Sequence, residues 1–140
     1  IPKNILNEKP KEIKRGKDLT IISVGYGVKI IKEVEQKLKK NNISSELIDL
    51  RIINPLKPKV CVESALKTKK VLVLDYGWGN CGISSEIISQ IAEKTSKHKK
   101  KIEYLKITLP DYPAPTNKLN EKNYYISSEQ VSKKILKYFF

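Results

Sequence analysis

The feature that most constrains the fold is a repeated alternation between short apolar runs and longer segments with helical spacing. Residues 71–74 are four consecutive apolar residues, Val-Leu-Val-Leu, which is typical of a parallel strand covered on both faces. Strand and helix patterns alternate in this way four times along the chain. Because parallel strands need a crossover connection, which is usually a helix, the alternation predicts an α/β/α layer with a mostly parallel sheet.

The predicted elements follow from periodicity and from turn residues. Strands are predicted at residues 19–24, 45–50, 71–74 and 102–107. Helices are predicted from Val28, after Pro55 and Pro58, from Ile83, and after a capping box formed by Ser127 and Gln130. A glycine-rich loop is predicted at residues 75–82 and a proline-rich loop at residues 110–115. A short further strand is predicted at residues 12–14, at one edge of the sheet.

Charge and cysteine content exclude several classes of protein. With two cysteines, Cys61 and Cys81, and one histidine, His98, the chain has too few ligands for a structural zinc site or a disulfide scaffold. No apolar run reaches the roughly 18 residues that span a bilayer, and no secretory segment is recognisable, so we expect a cytoplasmic protein and no membrane partner. The net charge of +13 fits nucleic-acid binding. No RNA-recognition motif, helix-turn-helix or zinc finger accompanies the lysines, which leaves this as a minor alternative.

Ligands of an open parallel sheet bind outside the carboxyl ends of its strands, so chemistry is expected in those loops. The Gly-Tyr-Gly turn at residues 25–27 lacks the third glycine of a dinucleotide fingerprint, because Ile30 stands in that position. Asp49 and Arg51 are predicted to share one face of a strand end, where an ion pair or a subunit contact can form. His98 lies in a lysine run, away from every strand-end loop. We therefore predict no catalytic, cofactor-binding or metal-binding residue.

Five segments carry a resemblance in order along the chain. They are RGKDLTI at 15–21, IDLR at 48–51 with NPL at 54–56, ESALKTKKV at 63–71, GISSEI at 82–87 and DYPAP at 111–115. Together they resemble the C-terminal domain of the transketolase family, as found in the beta subunit of thiamine-diphosphate 2-oxo acid dehydrogenases. The resemblance covers residues 13–140 and implies a five-stranded sheet between helices, with one antiparallel edge strand. Residues 1–12 are then expected to be an extension from an upstream domain.

The resemblance also implies a division of labour between domains. In this family thiamine diphosphate and Mg²⁺ lie outside the C-terminal domain, and the glutamate that activates thiamine belongs to the N-terminal half of the beta subunit. The C-terminal domain is similar to a scaffold that packs a heterotetramer of alpha and beta subunits and, in some members, helps dock the lipoyl acyltransferase core. This chain is therefore expected to be an assembly domain without catalysis of its own. The lysine run at residues 97–101 departs from the acidic surface that members use for that docking.

Six residues are candidates for subunit interfaces in such an assembly: Arg51, Trp78, Asp111, Tyr112, Phe139 and Phe140. The alternative for the two terminal phenylalanines is that they close the last helix onto the sheet. Two other identities stay open, the corresponding domain of a transketolase or deoxyxylulose-phosphate synthase and a basic nucleic-acid-binding module. The substrate of the whole enzyme is also open among pyruvate, a branched-chain 2-oxo acid, acetoin and an intermediate of a specialised pathway.

Overall fold

A computed structural model describes residues 7–140, which form a five-stranded sheet with helices on both faces. In chain order the elements are β1 (Lys11–Lys14), β2 (Leu19–Ser23), α1 (Gly27–Lys39), β3 (Ser45–Asp49), α2 (Lys59–Thr68), β4 (Lys70–Trp78), α3 (Ile83–Thr95), β5 (Glu103–Leu109), α4 (Lys118–Tyr124) and α5 (Ser128–Phe139). The strand order across the sheet is β1-β3-β2-β4-β5. None of the helices within residues 7–140 is long and apolar enough to cross a membrane.

The strand directions confirm the predicted fold class. β2 pairs in parallel with β3 and β4, and β4 pairs in parallel with β5. β1 pairs antiparallel with β3 and closes one edge, so the short strand predicted at residues 12–14 is present and begins at Lys11. Of the predicted extension at residues 1–12, residues 1–6 lie outside the described residues. The boundary between extension and domain stays a prediction.

Side chains of the central strands alternate between two apolar cores, which makes the molecule three layers deep. On one face, Ile21 and Leu72 pack with α1 and α5. On the other face, Ile22 and Val73 pack with α2 and α3. This period of two explains the apolar run at residues 71–74, because a strand covered on both faces needs apolar residues at every position.

Helices α1, α2 and α3 connect parallel strands and run opposite to them, so their carboxyl ends lie at the amino edge of the sheet. The hydrogen bond from Lys70 to the Phe139 carbonyl places the end of α5 at the same edge. The last turns of α1, α2, α3 and α5 carry lysines, namely Lys37 and Lys39, Lys67, Lys94 and Lys137. Positive charge near a helix carboxyl end is favourable, because the carbonyl groups there carry partial negative charge. The lysine run at residues 97–101 follows α3 and adds to the same edge.

Two local predictions were incomplete. The glycine-rich segment predicted as a loop at residues 75–82 is strand as far as Trp78, with a register shift against β5 between Leu74 and Trp78. Helix α4 was not predicted, because it is seven residues long and only Tyr124 in it is buried. The side chain of Asn117 caps it by accepting a hydrogen bond from the Leu119 amide. The capping box of Ser127 and Gln130 at the start of α5 is confirmed.

The two terminal phenylalanines have different surroundings. Phe139 is 7% exposed and belongs to the core between α1, α5 and the sheet. Phe140 is 56% exposed, and the Lys70 ammonium lies 3.8 Å from the centre of its ring. Lys70 also donates a 2.8 Å hydrogen bond to the Phe139 carbonyl. Phe139 therefore fits the alternative that the tail closes the last helix onto the sheet, and its side chain is not available to a partner.

The Phe139→Ala variant should lose about 3 kcal/mol of unfolding free energy, because it removes a large buried side chain from the core. The matched variant Phe140→Ala should change stability by less than about 1 kcal/mol, since its ring is exposed and loses only the contact with the Lys70 ammonium. Urea denaturation followed by circular dichroism measures both values. Equal losses for the two variants would contradict the assignment of Phe139 alone to the core.

A buried carboxylate ties α2 to the sheet. Glu46, on β3, accepts hydrogen bonds from the Lys67 ammonium at the end of α2 and from the Gly16 amide. Its side chain is 2% exposed. Burial alone raises the pKa of the Glu46 carboxyl, but hydrogen bonds from Lys67, Ser64 and Gly16 together hold this pKa below its ordinary value of 4.5.

A lowered pKa in the folded state means that ionised Glu46 contributes stability above about pH 4.5, and that this contribution is lost as pH falls through the folded-state pKa. We expect Glu46→Gln to be less stable than the parent chain near neutral pH, with a difference that shrinks below about pH 4.5. Urea denaturation across a pH series tests this. Glu63→Gln is the control, because Glu63 is exposed and forms only a 4.0 Å pair with Lys59. A pH-independent deficit in Glu46→Gln would contradict the role of its charge.

Candidate functional site

The crossovers create a crevice at the carboxyl edge of the sheet. α1 leaves the end of β2 toward one face, and α3 leaves the end of the adjacent strand β4 toward the other face. Neighbouring strands whose following helices diverge leave an opening between them, and this is the usual place for ligands in open α/β sheets. Four strand-end segments surround the carboxyl edge, as the sequence predicted.

Asp75 organises the segment that follows the buried part of β4. Its buried carboxylate accepts hydrogen bonds from the Gly77 amide at 2.8 Å and from the Ser84 amide at 3.2 Å. Because Ser84 lies in the first turn of α3, the carboxylate satisfies an amide that the helix cannot pair internally. Gly82 precedes α3, and a Cβ atom on it would lie 2.2 Å from the Trp78 carbonyl oxygen. The chain therefore turns from β4 into α3 with no room for a side chain at position 82.

Three of the interface candidates lie together at one corner. Trp78 ends β4 and is 58% exposed. The Asp111 carboxylate accepts hydrogen bonds from the Gly79 amide at 3.3 Å and from the Asn80 side chain at 2.9 Å, so the segments after β4 and β5 are tied to each other. Tyr112 is exposed, and its carbonyl accepts a 2.9 Å hydrogen bond from the Tyr124 hydroxyl.

The other three candidates lie elsewhere. Arg51 follows β3, which is separated from β4 by β2, and it pairs with Glu8 at 2.8 Å. The subunit contact considered for Asp49 and Arg51 stays a prediction. Their ion pair, the other alternative, is not formed, because β3 ends at Asp49 and Arg51 adopts a left-handed backbone with φ of 58°. Asp49 instead accepts a hydrogen bond from the Arg51 amide. Phe139 and Phe140 lie at the amino edge, beside Lys70. The six residues do not form one surface, and the interface roles of the five exposed ones stay predictions.

The cysteines and the histidine lie apart from each other. Cys61 is buried in the α2–α3 core, and burial raises the pKa of its thiol to about 12, which fits a packing role. Cys81 is exposed in the turn before α3, and His98 is exposed after α3. Within residues 7–140, no group of three or more His, Cys, Asp or Glu side chains is placed to hold a metal ion.

One concave feature of the carboxyl edge was not predicted from the sequence. It is a cavity of about 640 Å³, here called the tyrosine groove, and its main lining residues are Tyr26, Glu33, Tyr76, Glu121, Tyr125 and Ile126. The Tyr26 and Tyr76 rings meet edge to face with centres 5.2 Å apart, and the Tyr76 and Tyr125 rings stack with centres 6.4 Å apart. The Tyr76 hydroxyl donates a hydrogen bond to the Ile126 carbonyl.

Tyr76 is the half-buried tyrosine of the groove, and its hydroxyl is held by the Ile126 carbonyl. Burial, with smaller effects from Tyr26 and Glu33, raises the pKa of its hydroxyl to about 12, so this side chain is neutral at physiological pH. The signal for the groove was present in the sequence as Tyr26 in the turn after β2 and Tyr76 near the end of β4. Their proximity follows only from the pairing of β2 with β4, which periodicity does not give.

Comparison with known proteins identifies the family. The family model described as transketolase, C-terminal domain, matches residues 8–131. The chain belongs to the transketolase C-terminal domain family. The fold agrees, since the chain superimposes with a TM-score of 0.77 on a split gene transketolase, which is described as an inactive tetramer of beta4 composition. That likeness, at 23% identity, covers 94% of this chain and 42% of the other.

Two relatives of this transketolase C-terminal domain have higher identity. The pyruvate dehydrogenase E1 component subunit beta of Ascaris suum mitochondria is 34% identical over 100 residues, which are 71% of this chain and 28% of the relative. The acetoin:2,6-dichlorophenolindophenol oxidoreductase subunit beta of Cupriavidus necator is 30% identical over 121 residues, which are 86% of this chain and 35% of the relative. The chain thus spans about a third of the length of these relatives.

The Asp75→Ala variant should lose about 2 kcal/mol of unfolding free energy, because the Gly77 and Ser84 amides lose their acceptor in a buried position. Glu93→Ala, an exposed substitution on α3, is the matched control and should change stability by less than about 0.5 kcal/mol. Thermal and urea denaturation measure both. A loss for Asp75→Ala no larger than for Glu93→Ala would show that Asp75 does not organise this turn.

Proposed function

We propose that this transketolase C-terminal domain is the assembly domain of the beta subunit of a thiamine-diphosphate-dependent 2-oxo acid dehydrogenase. The whole enzyme would decarboxylate pyruvate or a related 2-oxo acid oxidatively and transfer the acyl group to a lipoyl group. The observation that carries the proposal is the similarity of most of this chain to the beta subunits of pyruvate dehydrogenase and of an acetoin oxidoreductase. These names favour a dehydrogenase over a transketolase or a nucleic-acid-binding module.

Two observations support a thiamine diphosphate site outside this chain. Within residues 7–140, no group of three or more His, Cys, Asp or Glu side chains is placed to hold a metal ion. The buried carboxylate at the carboxyl edge, Asp75, is already occupied by the amides of Gly77 and Ser84. We therefore propose that both cofactors are held outside this chain, and no reaction step is assigned to its residues.

The proposed role of the domain is to hold subunits together. Its partners would be an alpha subunit and a second beta subunit in a heterotetramer, with the lipoyl acyltransferase core as a further partner. The exposed corner of Trp78, Asp111 and Tyr112 is a candidate contact, because Trp and Tyr contribute strongly to protein interfaces and Asp111 holds this corner in shape. Arg51 and Phe140 offer separate contacts at other edges.

A cytoplasmic location stays a proposal from the sequence. The Ascaris suum relative is named as mitochondrial, so the location of this protein needs its own measurement. Fluorescence microscopy of the tagged full-length protein against a mitochondrial marker distinguishes the two compartments.

The function is tested by separating cofactor binding from assembly. Isothermal titration calorimetry of the 140-residue chain with thiamine diphosphate and Mg²⁺ should show no binding at micromolar concentrations. The full-length beta subunit assembled with its alpha partner, titrated in the same buffer, is the positive control. The assembled enzyme should reduce an artificial electron acceptor with at least one of pyruvate, branched-chain 2-oxo acids and acetoin. Micromolar cofactor binding by the chain alone would refute the scaffold role, and a cofactor-loaded assembly inactive on all three substrate classes would refute the dehydrogenase.

A further inference from the structure

The tyrosine groove lies where the fold favours ligand binding, and Tyr124 connects it to the corner proposed for subunit contacts, since its ring contacts both Tyr112 and Tyr125. Tyr26 is 60% exposed and Tyr125 is 41% exposed, so the groove presents aromatic surface to solvent. Its rim is built from the turn after β2, the start of α1, and the segment that joins α4 to α5. Exposed tyrosines that line a concavity are characteristic of recognition sites, because the rings offer large contact area at little entropic cost.

The charge of the tyrosine groove is opposite to that of the molecule. The chain has 28 Lys and Arg against 15 Asp and Glu, yet the groove is lined by Glu33 and Glu121 and by no lysine or arginine. Some carboxylates outside the groove pair with lysines, as in the Lys14–Glu35 and Lys37–Glu129 pairs. Among residues 7–140, no ion pair involves Glu33 or Glu121.

Neighbouring lysines do not neutralise the groove by direct pairing. Lys118 and Lys122 lie with Glu121 and Tyr125 around an adjacent cavity of about 350 Å³. Neither forms an ion pair with Glu121 in the described part of the chain. The groove therefore combines aromatic ring surface with two carboxylates that lack a cationic partner.

We propose that the tyrosine groove docks a cationic segment of a partner polypeptide, through an arginine or lysine side chain placed between the tyrosine rings and Glu33 and Glu121. A guanidinium stacks on aromatic rings and pairs with carboxylates in the same pose, which matches both features of the groove. The groove is open, with Tyr26 largely solvated, whereas sites for free small molecules enclose most of the ligand. A side chain anchored by its own polypeptide fits an open groove better than a free small cation does.

The net charge of the chain makes the test selective. A molecule at +13 repels cationic peptides over its surface, so attraction of such a peptide must come from a local site. The inference does not rest on the proposed function, because the chain is tested alone and without cofactor. The two cores that cover both faces of the sheet give this chain a folded scaffold for the experiment, and circular dichroism checks it for each variant.

The probe is a blocked, fluorescein-labelled tetra-arginine peptide, titrated into the 140-residue chain at about 150 mM salt and followed by fluorescence anisotropy. We expect saturable binding that weakens about tenfold in the Glu33→Gln/Glu121→Gln double variant, and by about threefold or more in Tyr125→Ala. The matched controls are Glu93→Gln and Tyr138→Ala, which change an exposed carboxylate and an exposed tyrosine outside the groove. Both controls should bind the peptide like the parent chain.

Several results would overturn the proposal. These are absence of tetra-arginine binding up to millimolar peptide, binding that the groove variants leave unchanged, and equal weakening in the control variants. Tetramethylammonium that competes as strongly as the peptide would assign the groove to a small cation. Self-association of the parent chain, seen by sedimentation and abolished by Glu33→Gln, would assign it to a second copy. The isosteric Glu to Gln changes keep the test decisive even if Tyr125→Ala fails to fold.

Discussion

Strand β2 is buried at all five positions, and the rest of the structure is arranged around this constraint. It is paired on both sides, with β3 and β4, so its backbone N–H and C=O groups are hydrogen-bonded only when both neighbouring strands are in place. Its side chains alternate between two cores, so helices must cover both faces. The crevice at the carboxyl edge follows directly, because the helices after β2 and β4 must leave toward opposite faces.

Most of this architecture could be predicted from local patterns. The apolar run at residues 71–74 predicted a strand covered on both faces, and the spacing of Ile83, Ile87 and Ile91 predicted α3. Ser127 and Gln130 predicted the start of α5, because a capping box depends only on residues three apart. The antiparallel edge strand was implied by the family resemblance, since its four residues carry little pattern of their own.

The remaining features depend on contacts between distant parts of the chain. β4 continues beyond Leu74 because Trp78 pairs with Leu109 after a register shift. The glycines in this segment are typical of a loop, so the sequence did not predict this pairing. Arg51 pairs with Glu8, 43 positions earlier, because the backbone at Arg51 is left-handed. The tyrosine groove joins three rings from different segments. The pairing of β2 with β4 brings Tyr26 and Tyr76 together, and the hydrogen bond from Tyr76 to the Ile126 carbonyl brings Tyr125 beside them. The six interface candidates were predicted one by one, and nothing local showed that they lie at separate edges.

The lysines at the carboxyl ends of the helices give the molecule a polarity along the strand direction. Its amino edge carries the lysines of four helix ends and the run at residues 97–101, while its carboxyl edge carries the unpaired Glu33 and Glu121. An anionic partner is attracted most strongly where positive charges are grouped, so the amino edge is the side of this domain that such a partner would meet first.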